Sequence, residues 1–336
     1  VTEPANMQME NLFDKMNHLK VLVIGDVMAD AYIRGKVERI SPEAPVPVLN
    51  SRHYEIRLGG AANVALNLKA LGAKVYLCSL VGQDSKGEEL IKLIDAEDIG
   101  SEGIVRSQSR PTTIKTRIIA AGQHLLRIDE EDDRPAFPDE KSSLLKKALA
   151  LTALVDAVVF EDYDKGVIFP ELIQEVTAIA LKRGIPVTVD PKKRNFTDYK
   201  GVTLFKPNLK ELREGLKIEL NPKNSAELEA ACKRTVSDLG VQGVLLTLSE
   251  NGMAIYADGT YHHTPAMQRD IADVSGAGDT VISVATACMA VGFDLKSTLI
   301  LANMAGGLVC EYSGVVPIQK DILVKEALLV LGEQSQ

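Results

Sequence analysis

Residues 20–25 read Lys-Val-Leu-Val-Ile-Gly, and this run decides the fold. A short, β-branched, uninterrupted apolar stretch ending in glycine suits a strand buried on both faces. Lys74 to Leu80 is a second such run. Between them, Gly59-Gly60-Ala61-Ala62-Asn63 opens an amphipathic helix that ends at Leu71-Gly72. Strand and helix then recur: Asp156 to Phe160, a helix near Pro170 to Arg183, Pro186 to Asp190, Val202 to Phe205, and Gly243 to Leu248. This alternation predicts an α/β fold with a mostly parallel central sheet flanked by helices. Two segments break it. Residues 31–56 carry Pro42, Pro45 and Pro47 among β-formers, and residues 112–129 hold two strand-like runs around Ala121-Gly122. The second segment predicts a hairpin with the glycine at its turn. Together they predict a small sheet projecting from the main body. Met9, Leu12, Phe13 and Met16 fall at helical spacing, so a short helix is expected ahead of the first strand.

Bulk properties narrow the function. A chain of 336 residues suits one large α/β domain or two smaller ones. The formal net charge of −8 argues against a general nucleic-acid binder, but leaves room for a local basic pocket. No apolar run approaches the ~20 residues that span a bilayer, and no charged-then-apolar leader is visible. The scattered Cys78, Cys232, Cys288 and Cys310 lack metal spacing and read as buried free thiols of a reducing compartment. A cytoplasmic enzyme with no membrane partner is the expectation.

The chemistry concentrates in Asp273-Val274-Ser275-Gly276-Ala277-Gly278-Asp279-Thr280, just before a long apolar helical run. Small residues let backbone N–H groups turn outward at the positive end of a helix dipole, a cradle for phosphate or developing negative charge. Asp279 stands there as a proton acceptor. Close helix packing would equally explain the glycines. Gly59-Gly60-Ala61-Ala62-Asn63 fits a backbone that approaches a sugar closely, or a helix start that is merely small. Asp26 and Asp30 follow the first strand, at the edge where open α/β sheets bind ligands; carboxylates there suit polyols, although Asp30 also fits a solvated loop. Asn208 and Glu211 share a helix face and could approach a metal–phosphate group through water, or simply form a capping box. Lys115 and Arg117, with Arg127 on the partner strand and Arg39 and Arg57 in the other projecting segment, form either an anion site or an exposed basic ribbon. Asp162 and Lys165 follow an apolar strand and could line the cleft. The usual nucleotide loops are missing: Glu88 follows Gly82 and Gly87 where a P-loop needs lysine, and no Gly-x-Gly-x-x-Gly follows the first strand.

Taken together, residues 59–63 and 273–279 resemble the two signatures of the ribokinase-like (PfkB) carbohydrate kinases. The resemblance runs from about Val21 beyond residue 320. Within that family, Arg39-Ile40-Ser41-Pro42-Glu43-Ala44-Pro45-Val46-Pro47-Val48 is similar to the heptose-phosphate kinases of lipopolysaccharide-core synthesis, as are Asp162-Tyr163-Asp164-Lys165-Gly166 and Ser249-Glu250-Asn251-Gly252-Met253. The resemblance implies a ribokinase-like three-layer sandwich over residues 20–333. A β-sheet lid (about 31–56 and 112–129) would be inserted in it, with residues 1–19 as an N-terminal extension. It implies ATP and Mg²⁺ as cofactors, and admits a monovalent cation. Asp279 would be the base, and Gly276, Ala277 and Gly278 the anion hole. Asp26, Asp30, Gly59, Gly60 and Asn63 would hold sugar hydroxyls, with Lys115, Arg117 and Arg127 at a sugar phosphate. Asn208, Leu209, Lys210, Glu211, Ser249, Gly252 and Asn303 would line the ATP site, Glu211 reaching the metal through water.

The reaction implied is ATP-dependent phosphorylation of D-glycero-β-D-manno-heptose 7-phosphate at C1. Many relatives carry a further adenylyltransferase with a His-x-Gly-His motif, which this sequence lacks, so a separate adenylyltransferase is expected downstream. The projecting sheet needs its edges covered, which predicts a homodimer through the lid. Two other readings compete. One is a kinase of the same family acting on ribose, fructose or a nucleoside; the other is a non-catalytic ligand-binding regulator, which should have lost the base or the anion hole.

Overall fold

The computed structural model describes residues 2–334. The first half runs α1 (Thr2–Lys15), β1 (Lys20–Gly25), β2 (Val27–Ile40), β3 (Pro47–Gly60), α2 (Ala61–Ala70), β4 (Lys74–Cys78), β5 (Leu80–Gly82), α3 (Ser85–Ala96) and β6 (Val105–Ser107). It continues through β7 (Ile114–Ala120), β8 (Gln123–Glu130), α4 (Pro138–Thr152), β9 (Ala157–Glu161), α5 (Pro170–Lys182) and β10 (Val187–Asp190). The remainder is β11 (Leu204–Phe205), α6 (Leu209–Leu216), α7 (Ser225–Leu239), β12 (Gly243–Thr247), β13 (Met253–Ala257), β14 (Thr260–Thr264), α8 (Ala277–Val291), α9 (Leu295–Val309) and α10 (Lys320–Gln334).

Eight strands form the central sheet in the order β14-β13-β12-β11-β10-β9-β1-β4. From β4 to β12 every pairing is parallel, and β13 and β14 add an antiparallel edge. The period-2 alternation of strands sorts side chains between two helical layers. Val21 and Val23 of β1 join the core under α2, α8 and α9, while Leu22 and Ile24 join the core under α4, α5 and α7. β9 divides its side chains the same way. The segment expected as an N-terminal extension carries α1, whose Phe13 is buried and meets Phe293 edge-on at 5.5 Å, packing this helix into the same core.

The projecting sheet has the order β3-β2-β7-β8. β2 and β3 pair antiparallel from Val27↔Gly60 to Ile40↔Pro47, β2 and β7 run parallel, and β7 and β8 form the expected hairpin. Its turn residues Ala121 and Gly122 both take left-handed backbone, at φ 49° and 77°. The lid is wider than 31–56 and 112–129, because β2 leaves the body immediately after Asp26 and β3 returns at Gly60. It is an unbroken outgrowth of the first strand.

Parallel register places the last residues of neighbouring strands side by side. Gly25 stands opposite Glu161, Glu161 opposite Asp190, and Lys206 donates its N–H to Val189 beside Asp190. A Cβ on Gly25 would overlap the Glu161 carbonyl oxygen, so only glycine lets β1 and β9 close at this point. Gly25→Ala is expected to cost roughly 1–3 kcal/mol of stability through overpacking, seen as a lower urea midpoint with an unchanged slope; an unshifted midpoint would contradict this packing.

Candidate active site

Residues 273–276 form a loop that turns into α8 at Gly276, which takes φ 80°. A Cβ there would lie 2.8 Å from Asn63 Nδ2, so the sharp entry and the close approach both require glycine. One turn on, Asp279 is buried at 4% exposure. Asn63 Nδ2 donates to its Oδ2 at 2.7 Å, and the Tyr163 hydroxyl donates to its Oδ1 at 2.8 Å. Asn63 is in turn oriented by Asn67, whose amide donates to the Asn63 side-chain and backbone oxygens. Burial pushes the Asp279 carboxyl up to about 6, against the two hydrogen bonds that favour its ionised form. The group is therefore a carboxylate at neutral pH with a raised affinity for a proton, as a general base requires.

Beneath it lies the row of strand ends. Asp190 is ion-paired with the buried Lys206 at 2.7 Å, and the Cβ position of Gly278 is 3.7 Å from both partners. Burial opposes the Lys206 charge, but Asp190 and Glu211 prevail and raise its pKa. Glu161 is fully buried, and neither carboxyl oxygen has a hydrogen-bond partner; Asp190 Oδ1 also lacks one, and meets only the Lys192 ammonium at 3.9 Å. Burial, then the Asp190 and Asp279 charges, raise Glu161 well above the carboxylate range. Lys192 completes the cluster, ion-paired with Glu211. The floor is thus set with two lysines, orphaned carboxyl oxygens and the N-terminus of α8, a setting suited to a cation–phosphate group.

Asn63 and Asp279, 216 residues apart, are brought into contact, with Gly276 against Asn63 and Gly278 over Lys206. Gly59 and Gly60 lie at the joint of lid and body, where Gly59 closes on Asp30 and Gly60 on the Asp26 carbonyl. Other expected residues are engaged differently. Asp26 turns inward, accepting backbone N–H bonds from Tyr163 (2.8 Å), Lys165 (3.2 Å) and Val167 (3.2 Å). It therefore clamps the loop that carries Tyr163 rather than opening toward a sugar. Burial, then Asp162, raise its carboxyl to about 6. Asp30 is ion-paired with Arg117. Lys115 is held by Asp129 and Glu131, and Arg127 is an exposed side chain paired with Asp129.

Asn208 and Glu211 form the capping box of α6: Asn208 Oδ1 accepts from Glu211 N, and Glu211 Oε2 accepts from Asn208 N. Glu211's other oxygen meets Lys192. Leu209 opens α6, and Lys210 points to solvent at 83% side-chain exposure. Ser249 lies in an exposed turn, while Gly252 and Asn303 converge on residues 264–266, Asn303 Nδ2 donating to the Pro265 carbonyl at 2.9 Å. Asp162 is satisfied by Asn195 and Tyr199, and Lys165 by Glu131.

Sequence reasoning missed Tyr163, Glu161, Asp190, Lys192 and Lys206 as site residues. Their signal was positional, since Glu161 and Asp190 are each the charged last residue of an otherwise apolar or β-branched strand. A groove of about 730 Å³ runs elsewhere, along the β4 edge past Lys69, Lys74, Asp95 and Glu102, without glycines poised over a buried carboxylate.

A profile described as pfkB family carbohydrate kinase matches residues 18–321. The curated "Bifunctional protein HldE" of Trichlorobacter lovleyi is 38% identical over 89% of this chain and 61% of its own length. Its namesake in Rhodospirillum rubrum is 39% identical over 95% of this chain and 66% of its own length. The chain thus spans less than two thirds of these relatives. Among solved structures, Escherichia coli phosphofructokinase-2 in complex with potassium superposes with TM-score 0.76 at 18% identity, covering 93% of this chain and 99% of that one. Arabidopsis thaliana ribokinase complexed with ribose and ATP gives TM-score 0.69 at 19% identity, covering 92% and 98%. These likenesses show a ribokinase-like fold, as expected.

The buried carboxyl has a consequence for stability. Asp279 is raised from 3.8 to about 6 in the folded protein, so its favourable contribution is full below 3.8 and lost as pH rises through about 6. An amide at this position could keep both partners, its oxygen accepting from Asn63 and its nitrogen donating to the Tyr163 oxygen. The melting temperature of Asp279→Asn relative to wild type should therefore rise between pH 4 and pH 7; a difference that stays flat would contradict the burial.

Proposed function

Because the chain belongs to the pfkB family of carbohydrate kinases, we propose that it transfers the γ-phosphoryl group of ATP to the C1 hydroxyl of D-glycero-β-D-manno-heptose 7-phosphate. The products are the 1,7-bisphosphate and ADP, in the synthesis of ADP-heptose for lipopolysaccharide core. One observation carries the chemistry: Asp279, at the N-terminus of α8, is held on both oxygens by neutral donors rather than neutralised by a cation. The likeness of residues 39–48 to heptose-phosphate kinases supports the heptose substrate.

In this mechanism the C1 hydroxyl lies against Asp279 and gives up its proton as its oxygen bonds to the γ-phosphorus. The bond from that phosphorus to the bridging oxygen breaks in line, and ADP keeps that oxygen. A loose transition state asks the protein for alignment and charge stabilisation. The N–H groups of Ala277 and Gly278 and the Lys206 ammonium supply the stabilisation, the Ala277 N–H exchanging its 3.3 Å bond to the Val274 carbonyl for the phosphate. Gly59, Gly60, Asn63 and Asp30 line the sugar side. Asp190, whose Oδ1 has no hydrogen-bond partner, and Glu211, through water, would hold the Mg²⁺ of Mg-ATP, which would supply neutralisation of phosphate charge. Gly252, Ser249 and Asn303 border the nucleotide side. The lid excludes water and limits wasteful hydrolysis of ATP.

Three further assignments belong to the same reading. A monovalent cation assists, since the structural relative E. coli phosphofructokinase-2 was solved with potassium. Two copies join through the lid, whose β8 residues are exposed along the whole strand. An adenylyltransferase consumes the product, consistent with relatives named as bifunctional. Among the described residues no helix is long and apolar enough to cross a membrane. Because the residues proposed as base and anion hole are both retained in the sequence, a non-catalytic regulator is disfavoured; another sugar or nucleoside kinase is the alternative.

A panel of sugars and sugar phosphates with Mg-ATP, followed by ADP release, tests the assignment: heptose 7-phosphate should give the highest kcat/KM, and preference for ribose, fructose or a nucleoside would replace it. Asp279→Asn should lower kcat roughly 10²-fold or more. Near-normal turnover would remove Asp279 from the chemistry.

A further inference from the structure

The lid turns one strongly charged face toward the body. Strand register puts Glu55 and Arg57 of β3, Asp30, Tyr32 and Arg34 of β2, Lys115 and Arg117 of β7, and Arg127 and Asp129 of β8 on that face. Its orientation is fixed by contacts: Arg57 donates to the carbonyls of Ser313 and Val315, and the Tyr32 hydroxyl accepts from Val315 N at 3.3 Å. Gly314, between them, donates to Asp273 at 3.0 Å, in the loop that leads into Gly276. The face therefore looks onto the loops beside the anion hole.

Almost every cation on it already has a carboxylate. Lys115 has Asp129 and Glu131, Arg127 has Asp129, Arg57 has Glu55, and Arg117 has Asp30. Arg34 is the exception. Among the described residues its guanidinium has no ion pair; it acts on Glu55 only at longer range, after Arg57, and it lies 5.5 Å from the centroid of the Tyr32 ring. Arg117 stacks on the same ring at 5.4 Å. Arg57 lies over that ring as well, at 5.3 Å, so three guanidinium groups share one aromatic support; Glu55 matches Arg57 and Asp30 matches Arg117, while Arg34 has no carboxylate of its own. Forked donors of this kind match a phosphate bidentately, and a dianion supplies the charge that Arg34 lacks. Arg34 stands four residues beyond Asp30 along β2, roughly 13 Å between Cα atoms. The lid face that carries it is tied to the α8 entry, since Val315 N donates to the Tyr32 hydroxyl and the Val315 side chain lies 3.3 Å from the Cβ position of Gly276.

We propose that Arg34, with Arg117 beside it on Tyr32, binds the phosphate already carried by the acceptor sugar, so that the enzyme selects phosphorylated sugars over neutral ones. This rests on the sugar-kinase reading but not on heptose as the sugar. It also replaces Lys115 and Arg127, whose charges are matched locally, as the phosphate grip.

The test compares each phosphosugar with its dephosphorylated form, by steady-state kinetics and by calorimetric binding without ATP. Arg34→Met keeps the stem over Tyr32 and removes the charge. It should raise KM and Kd for the phosphosugar about tenfold or more, leave KM for ATP unmoved, and collapse the preference for the phosphorylated form. Arg34→Lys should recover part of that preference. If another phosphosugar replaces heptose 7-phosphate in the panel and Arg34→Met still weakens it, the heptose assignment fails and this inference stands. If the wild type prefers neutral sugars, or Arg34→Met binds the phosphosugar as wild type does, the inference is overturned while the kinase reading survives.

Discussion

A single buried carboxylate sets the terms for everything around it. Taking Asp279 out of water is unfavourable, and the protein offsets this with two neutral donors rather than a cation. A lysine in direct contact would have stabilised the ion better, but would have left it a poor acceptor for a proton. The positive charges are held lower, on Lys206 and Lys192, where they meet Asp190 and Glu211. The proposed base is therefore kept apart from the lysines proposed to stabilise phosphate charge, with Gly278 over Lys206.

The supports act at one remove. Asn63 is fixed by Asn67, and Asn67 in turn accepts from Thr280 at 3.1 Å and from Ile318 N at 2.9 Å. Tyr163 is fixed because Asp26 gathers three backbone N–H groups of its loop. Neither Asn67 nor Asp26 touches Asp279, yet each determines where a donor to it stands. The lid is tied in as well, since Arg57 grips the 313–315 carbonyls that border the loop into α8.

Much of this was legible in the chain. Apolar runs such as residues 20–25 and 243–247 announced buried parallel strands because they are short, largely apolar and recur in alternation with helical segments. Ala121-Gly122 announced its turn, and the small residues at 59–63 and 276–278 announced close approach. Roles decided by register were less visible. Asp26 and Asp30 both follow the first strand, but whether such a carboxylate faces a ligand or a loop depends on segments distant in the chain. Lys115, Arg117 and Arg127 looked alike in sequence; cross-strand neighbours separate a locally neutralised lysine from an arginine stacked on Tyr32. Glu161, Asp190 and Lys206 align only because parallel pairing sets three strand ends level. Asn208 and Glu211 satisfied the capping pattern in the structure as in the sequence.

The clamp made by Asp26 bears on how the molecule could be divided. The Tyr163 backbone it holds lies 137 residues downstream, and the Tyr163 hydroxyl meets a carboxylate 116 residues further on. Beginning, middle and end of the polypeptide must all be in place before the acceptor is shaped. A fragment from either half would lack part of this hydrogen-bonded set, and two halves expressed separately could rebuild it only by docking through the central sheet.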